Sequence, residues 1–175
     1  MTARIGRERR GRHRLWLIGL VVLLGGCASS GPTTISSAGD IVVASDVNPN
    51  PAGRPSPVVL HIYELRGKGA FNGADFFALY GAPAKTLGRD LVNDQEFEMQ
   101  PGQSQTFNRK LPTGTRYIGV VAAFRDVNQA VWRSVAAVPQ PKHGLTSDVD
   151  FLHHPKVAIH IKLQKLTVSV AVTQQ

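Results

Sequence analysis

Residues 157–172 read VAIHIKLQKLTVSVAV, and the fold is decided there. Val157, Ile159, Ile161 and Leu163 alternate with Ala158, His160, Lys162 and Gln164, after which the apolar phase flips to Leu166, Val168, Val170 and Val172. Strict alternation marks a strand with one buried face. A two-residue turn at Gln164-Lys165 explains the flip by pairing 163 with 166, 161 with 168, 159 with 170 and 157 with 172. Directly opposed residues share a face, so all eight apolar side chains meet one core. A β-bulge in a single long strand would also shift the phase, and Gln-Lys is not a favoured turn pair. The hairpin is the expected form.

Upstream the same period recurs. Ile41–Ser45 is a β-branched run, and Val58–Leu65 is apolar on both faces, as a sandwich-core strand is. Ser104–Leu111, Arg116–Arg125 and Val131–Val138 are further strands, with Pro101-Gly102 and Pro112-Thr113-Gly114 supplying turns. Between the first two strands, Asp46–Pro57 (DVNPNPAGRPSP) carries four prolines and a glycine and must be a loop. Phe71–Tyr80 (FNGADFFALY) breaks the alternation. Asn72 or Asp75 can cap a helix there, with Phe76, Phe77, Leu79 and Tyr80 packing on the sheet, and Leu87–Val92 is a candidate second helical turn. About seven strands without a βαβ repeat imply a mainly β, two-sheet sandwich with a short helical insertion.

The N-terminus follows different rules. Residues 1–26 hold six arginines and one acid, Glu8. The other 149 residues hold 14 Lys+Arg and 11 Asp+Glu, so the +8 of the whole chain falls to +3 once the leader is set aside. Leu15–Leu24 (LWLIGLVVLL) is uncharged, but ten helical residues span only about 15 Å, half a bilayer core. That suits a signal peptide. It ends in Leu24, Gly25, Gly26 and Cys27, which resembles the lipobox of bacterial lipoproteins, with the thiol of Cys27 as the acyl acceptor. Cys27 is the chain's single cysteine, so no internal disulfide can form. Ala28 and Ser29 follow without the aspartate that retains lipoproteins at the inner membrane, which implies the outer membrane with the domain facing the periplasm. The expected organisation is a cleaved leader at 1–26, lipidated Cys27 and a Ser/Thr/Gly-rich tether to residue 39, and a β-sandwich domain at 40–175.

Catalytic signatures are not in the sequence: it contains no Gly-x-Ser-x-Gly elbow, phosphate-binding glycine loop or CxxC pair. His153-His154, near Asp148 and Asp150, lacks HxH or HxxxH spacing and is expected to be a solvated loop pair. His61 and His160 fall within strands. Asp94, Glu96 and Glu98 are expected on a solvated strand edge or loop, and Arg109, Lys110 and Arg116 on solvated surface. The expectation is a non-enzyme with no metal, no cofactor beyond the lipid on Cys27, no nucleic-acid partner and no small-molecule substrate.

Three segments, taken in order after the lipobox, carry a resemblance. They are the D-x-N-P…G-R-P-S-P loop leading to Ile62-Tyr63-Glu64-Leu65, then Phe71 with Ala74–Tyr80, then Tyr117–Asp126 with Trp132-Arg133. Together they resemble the TssJ (SciN, VasD, Lip) family of type VI secretion outer-membrane lipoproteins across the mature domain. The resemblance implies a transthyretin-like β-sandwich and a non-catalytic adaptor. Its implied partner is the periplasmic C-terminal region of the IcmF-like inner-membrane protein TssM, in an envelope-spanning complex. It also implies that the loop between the first two strands makes that contact. Here that loop is Asp46, Val47, Asn48, Pro49, Asn50, Pro51, Ala52, Gly53, Arg54, Pro55, Ser56 and Pro57. Its prolines pre-order the backbone, which lowers the entropy lost on docking. Arg54 is the strongest hot-spot candidate, whereas Asn48-Pro49 is read as turn-making. The competing reading is a periplasmic carrier lipoprotein for a small ligand, which requires a deep apolar cavity.

Overall fold

The computed structural model describes residues 34–140 and 156–175. Cys27, the leader, the tether up to residue 33, and the His153-His154 pair lie outside them. Eight strands form two four-stranded sheets. One sheet has the order β4-β1-β7-β8 and the other β3-β2-β5-β6, where the strands are β1 Ile35–Val43, β2 Val58–Leu65, β3 Leu91–Met99, β4 Ser104–Leu111, β5 Tyr117–Ala122, β6 Arg133–Ala137, β7 Lys156–Gln164 and β8 Thr167–Gln174. All pairs are antiparallel except β1 with β7.

The C-terminal hairpin forms, and its register differs from the expected one by two residues. Leu163 opposes Val168, Ile161 opposes Val170 and Ile159 opposes Val172, with Lys165-Leu166 as the turn. A shift of two preserves the parity of the faces, so the apolar set still points inward. Tertiary hydrogen bonds hold the turn in this position: Asn48 N–H donates to the Lys165 carbonyl (2.8 Å) and Val131 N–H to the Leu166 carbonyl (2.9 Å).

Strand β1 begins at Ile35, inside the stretch assigned to the tether, so the domain starts before residue 40. Ser36, Ser37, Ala38 and Gly39 carry no alternating apolar signal, but their small side chains allow close pairing on both edges. Gly39 is required where it stands, because the Phe107 ring lies over the position a Cβ would take. Strand β3 is absent from the expected strands except as the edge-or-loop alternative for Asp94, Glu96 and Glu98, and the helical turn expected at Leu87–Val92 gives way to it from Leu91. On the side of the strand that carries Phe97 and Met99 stand Asn93, half-buried, and Gln95, exposed, polar residues that hide the period of two. Asp94, Glu96 and Glu98 are its exposed outer face, as suits an edge strand.

Two apolar clusters result. Between the sheets lie Ile41, Leu60, Ile62, Met99, Ile118, Val120, Ile159, Ile161 and Leu163. On the outer face of the β3-β2-β5-β6 sheet, Tyr63, Leu65, Val121, Phe71, Leu79 and Leu87 pack beneath the insertion. Strand β2 serves both, which is why it reads apolar throughout. The insertion comprises three short helices, α1 Gly69–Gly73, α2 Phe76–Gly81 and α3 Pro83–Leu87, and a 3-10 turn at Gly88–Asp90. Asp75 caps α2 by accepting from Ala78 N–H at 2.9 Å. Of the four residues expected to pack, only Leu79 is fully buried. Phe76 is half-buried, whereas Phe77 is 74% and Tyr80 37% exposed. The break at Ala74-Asp75 makes Phe71 the deep anchor instead, seated over Gly119.

Between the sheets one charge is buried. Glu64, fully inaccessible, pairs with Arg109 reaching across from β4. Arg109 also donates to Gln95 Oε1 at 2.6 Å. Arg109 therefore points inward and is not part of the solvated basic surface expected of it. Burial pushes the Glu64 carboxyl up from its ordinary range, and the guanidinium opposes that shift.

Candidate functional site

The Asp46–Pro57 loop leaves β1 and returns into β2 at one end of the sandwich, and it has two parts. Its root is buried: Val47 is fully inaccessible, Asn48 2% exposed and Ser56 6% exposed. Asn48 has a left-handed backbone, φ 48°, which asparagine tolerates better than other non-glycine residues. Its side-chain amide donates to the Pro57 carbonyl (2.6 Å), and its side-chain oxygen accepts from Arg125 N–H (2.8 Å). With its own N–H on Lys165, this one residue ties the loop to itself, to the β5–β6 connection and to the β7–β8 turn. Ser56 N–H closes the root by donating to the Val47 carbonyl at 3.2 Å.

The tip is a tight turn around Asn50. Its side-chain oxygen accepts from Ala52 N–H (3.0 Å) and Arg54 N–H (2.9 Å), and its backbone N–H donates to the Arg54 carbonyl (2.8 Å). Gly53 sits at φ 75° to complete the reversal. Pro49 and Asn50 are half-buried, while Pro51, Ala52, Gly53, Arg54 and Pro55 are exposed, as are Asp46 and Pro57. The turn occupies the backbone of Arg54 and leaves its guanidinium facing solvent. The loop thus presents a rigid, solvent-facing tip on a root fixed at three points.

The same pole gathers residues that local pattern could not connect. Arg125, Asp126, Asn128 and Gln129 of the β5–β6 connection are there through the Asn48–Arg125 bond, and Lys165 through the Asn48–Lys165 bond. Only long-range pairing brings them beside the loop.

Elsewhere, the structure brings together groups that the sequence reading kept apart. His61 lies between Asp94 (Nδ1 to Oδ1, 3.2 Å) and Glu96 (Nε2 to Oε2, 3.4 Å), stacked on Tyr63 and edge-on to Tyr80. The Tyr63 hydroxyl donates to the Leu79 carbonyl at 2.9 Å, and burial pushes its phenol well above the ordinary tyrosine range. These bonds fasten the insertion to the sheet. His160 bonds Asp40 (2.5 Å) on the outer face of the other sheet. Among the described residues no group of three His, Cys, Asp or Glu side chains has metal-binding geometry. The grooves lined by Ser36, Asn108 and Lys110, and by Ala38, Thr106 and His160, are open and lie outside the apolar core, unlike the deep apolar cavity a carrier requires.

The model of the family described as Type VI secretion lipoprotein, VasD, EvfM, TssJ matches residues 37–174. The chain belongs to this family. The T6SS lipoprotein TssJ1 of Pseudomonas aeruginosa is 32% identical, with a TM-score of 0.69 over 80% of this chain and 97% of that one. Serratia marcescens Lip, a membrane-bound component of the type VI secretion system, superposes with a TM-score of 0.70 at 23% identity, covering 79% and 98%. A chain in the structure of the T6SS protein TssM C-terminal domain from EAEC gives 0.57 at 23% identity, covering 78% and 97%. No curated protein matches the sequence. Family membership and the two-sheet fold agree with the resemblance drawn from the Asp46–Pro57, Ala74–Tyr80 and Tyr117–Asp126 segments. No helix among the described residues is long and apolar enough to cross a membrane.

Proposed function

We propose that this type VI secretion lipoprotein is held by acyl chains on Cys27 at the periplasmic face of the outer membrane. There it binds the periplasmic C-terminal region of the IcmF-like protein TssM through the Asp46–Pro57 loop. The reading makes it a non-catalytic adaptor of the envelope-spanning complex. The observation that carries it is the loop itself. Four prolines and the Asn50 turn order a solvent-facing tip, and Asn48 locks its base, so docking costs little further chain entropy. Family membership supports it, as does the likeness to a chain of a TssM C-terminal domain structure.

Anchoring and binding separate experimentally. Cys27→Ser should leave the affinity of the purified domain for the TssM region unchanged and abolish type VI secretion in cells. Normal secretion from a verified unlipidated variant would show the anchor to be dispensable.

A further inference from the structure

The pole opposite the Asp46–Pro57 loop carries a concentration of positive charge. Strand β1 starts there, and register places Lys110 of β4 and Lys156 of β7 on either side of Ser36. The β4–β5 turn brings Arg116, whose N–H donates to the Leu65 carbonyl at 2.8 Å, and the end of β2 brings Arg66 beside Gly114. Lys68 lies over the Tyr117 ring, and Arg89 is joined to this group by Arg66 bonding its carbonyl. All six cations are exposed. The opposing negative groups at this pole among the described residues are Asp90, the buried and already paired Glu64, and the carboxylate of Gln175. The loop pole is mixed, with Asp46 and Asp126 beside Arg54, Arg125 and Lys165, and the acidic run of β3 faces sideways.

We infer that this basic pole docks on the anionic phospholipid surface of the membrane that holds the anchor. The inference rests on the reading of Cys27 as the lipidated residue. Eight residue steps lead from Cys27 to Ile35, and fully extended they span at most about 28 Å. That is about the length of one nine-residue strand of this domain. The start of β1 therefore cannot leave the bilayer by more than one domain length; Lys110 and Lys156 flank that start, and the other four cations stand at the same end of the second sheet. Each lysine or arginine brought to an anionic bilayer strengthens binding about fivefold, within a field about 10 Å deep. Docking this pole points the Asp46–Pro57 loop away from the membrane, towards the periplasm where a trans-envelope partner must be met.

The test uses the mature chain, residues 28–175, without acyl groups; the whole described core lies within it. Flotation with vesicles of phosphatidylglycerol and phosphatidylethanolamine at 20 mM salt should recover bound protein. Vesicles of phosphatidylcholine alone, or 0.5 M NaCl, should release it. Lys110→Gln, Arg116→Gln and Lys156→Gln combined should weaken binding about a hundredfold. Lys162→Gln with Lys165→Gln, near the loop pole, should leave it within twofold. Absence of binding to anionic vesicles, or equal losses in the two sets, overturns the inference. So does loss of TssM-region binding in the triple variant with vesicle binding intact, which would make the pole a protein interface. Mass spectrometry of Cys27 from cell membranes is the separate arm: an unmodified thiol defeats the anchor reading, whereas an acylated thiol without vesicle binding defeats only the docking.

Discussion

Asn48 and Glu64 show two ways in which one buried polar residue can organise this molecule. Asn48 satisfies three backbone groups from three connections at a left-handed backbone position. Asn48→Ala strands the Arg125 N–H and the Pro57 carbonyl and strains the backbone, and should cost about 3 kcal/mol in urea denaturation. Arg54→Ala, at the exposed tip, should stay within about 0.5 kcal/mol of the parent protein. Glu64 is held by Arg109 between the sheets, so Arg109→Met leaves a buried carboxylate alone and should cost about 3–5 kcal/mol at pH 8. The sign of the pH dependence follows from the raised folded-state pKa. The folded protein binds the Glu64 proton more tightly than the unfolded chain, so protonation favours folding and that contribution is lost as pH rises. Removing Arg109 takes away the positive charge that opposes this rise, so the variant gains more from protonation than the parent and its deficit should shrink between pH 8 and pH 5 in paired thermal melts. A deficit independent of pH would assign the cost to lost packing of the arginine stem.

At the scale of elements, the insertion is three short helices pinned by side chains of neighbouring parts. Tyr63 bonds α2, and Arg133 donates to the Phe71 and Ala74 carbonyls at 3.1 and 2.7 Å. Asp75→Ala removes the one side-chain cap of α2 and should cost about 1 kcal/mol, read as faster amide exchange confined to Ala78 and its neighbours. Cooperative loosening of the whole sandwich in that variant would mean that the insertion is part of the folding core. The legibility of the elements in the sequence followed their chemistry. Strands β2 and β7 were plain because their buried faces are aliphatic. Strand β3 is hidden because polar Asn93 and Gln95 share the side of Phe97 and Met99, and the first half of β1 because Ser and Gly pair tightly without any apolar signal. The hairpin register depended on bonds from Asn48 and Val131, residues far away in sequence. The loop at 46–57 is legible from its prolines and glycine, and so is a turn-making Asn48, whose contacts hold the loop root. Its companions Arg125, Asp126 and Lys165 became neighbours only through that long-range bonding.

On the scale of the whole molecule, the sandwich separates two ends. The start of β1, with the link towards Cys27 and the basic residues, is at one; the ordered Asp46–Pro57 loop is at the other. A strand length of about 30 Å lies between them. On the proposed function, such a division leaves one end free for the membrane and the other for the partner. The central claim is that the loop is the partner-binding surface. The most direct test is a calorimetric titration of the purified domain with the periplasmic C-terminal region of the TssM protein from the same secretion system. We predict saturable binding at micromolar or lower concentration, weakened at least tenfold by Arg54→Ala in a domain whose thermal stability is unchanged. Failure of the folded partners to bind at tens of micromolar, or unaltered affinity of Arg54→Ala together with a deletion of residues 50–54, would contradict it.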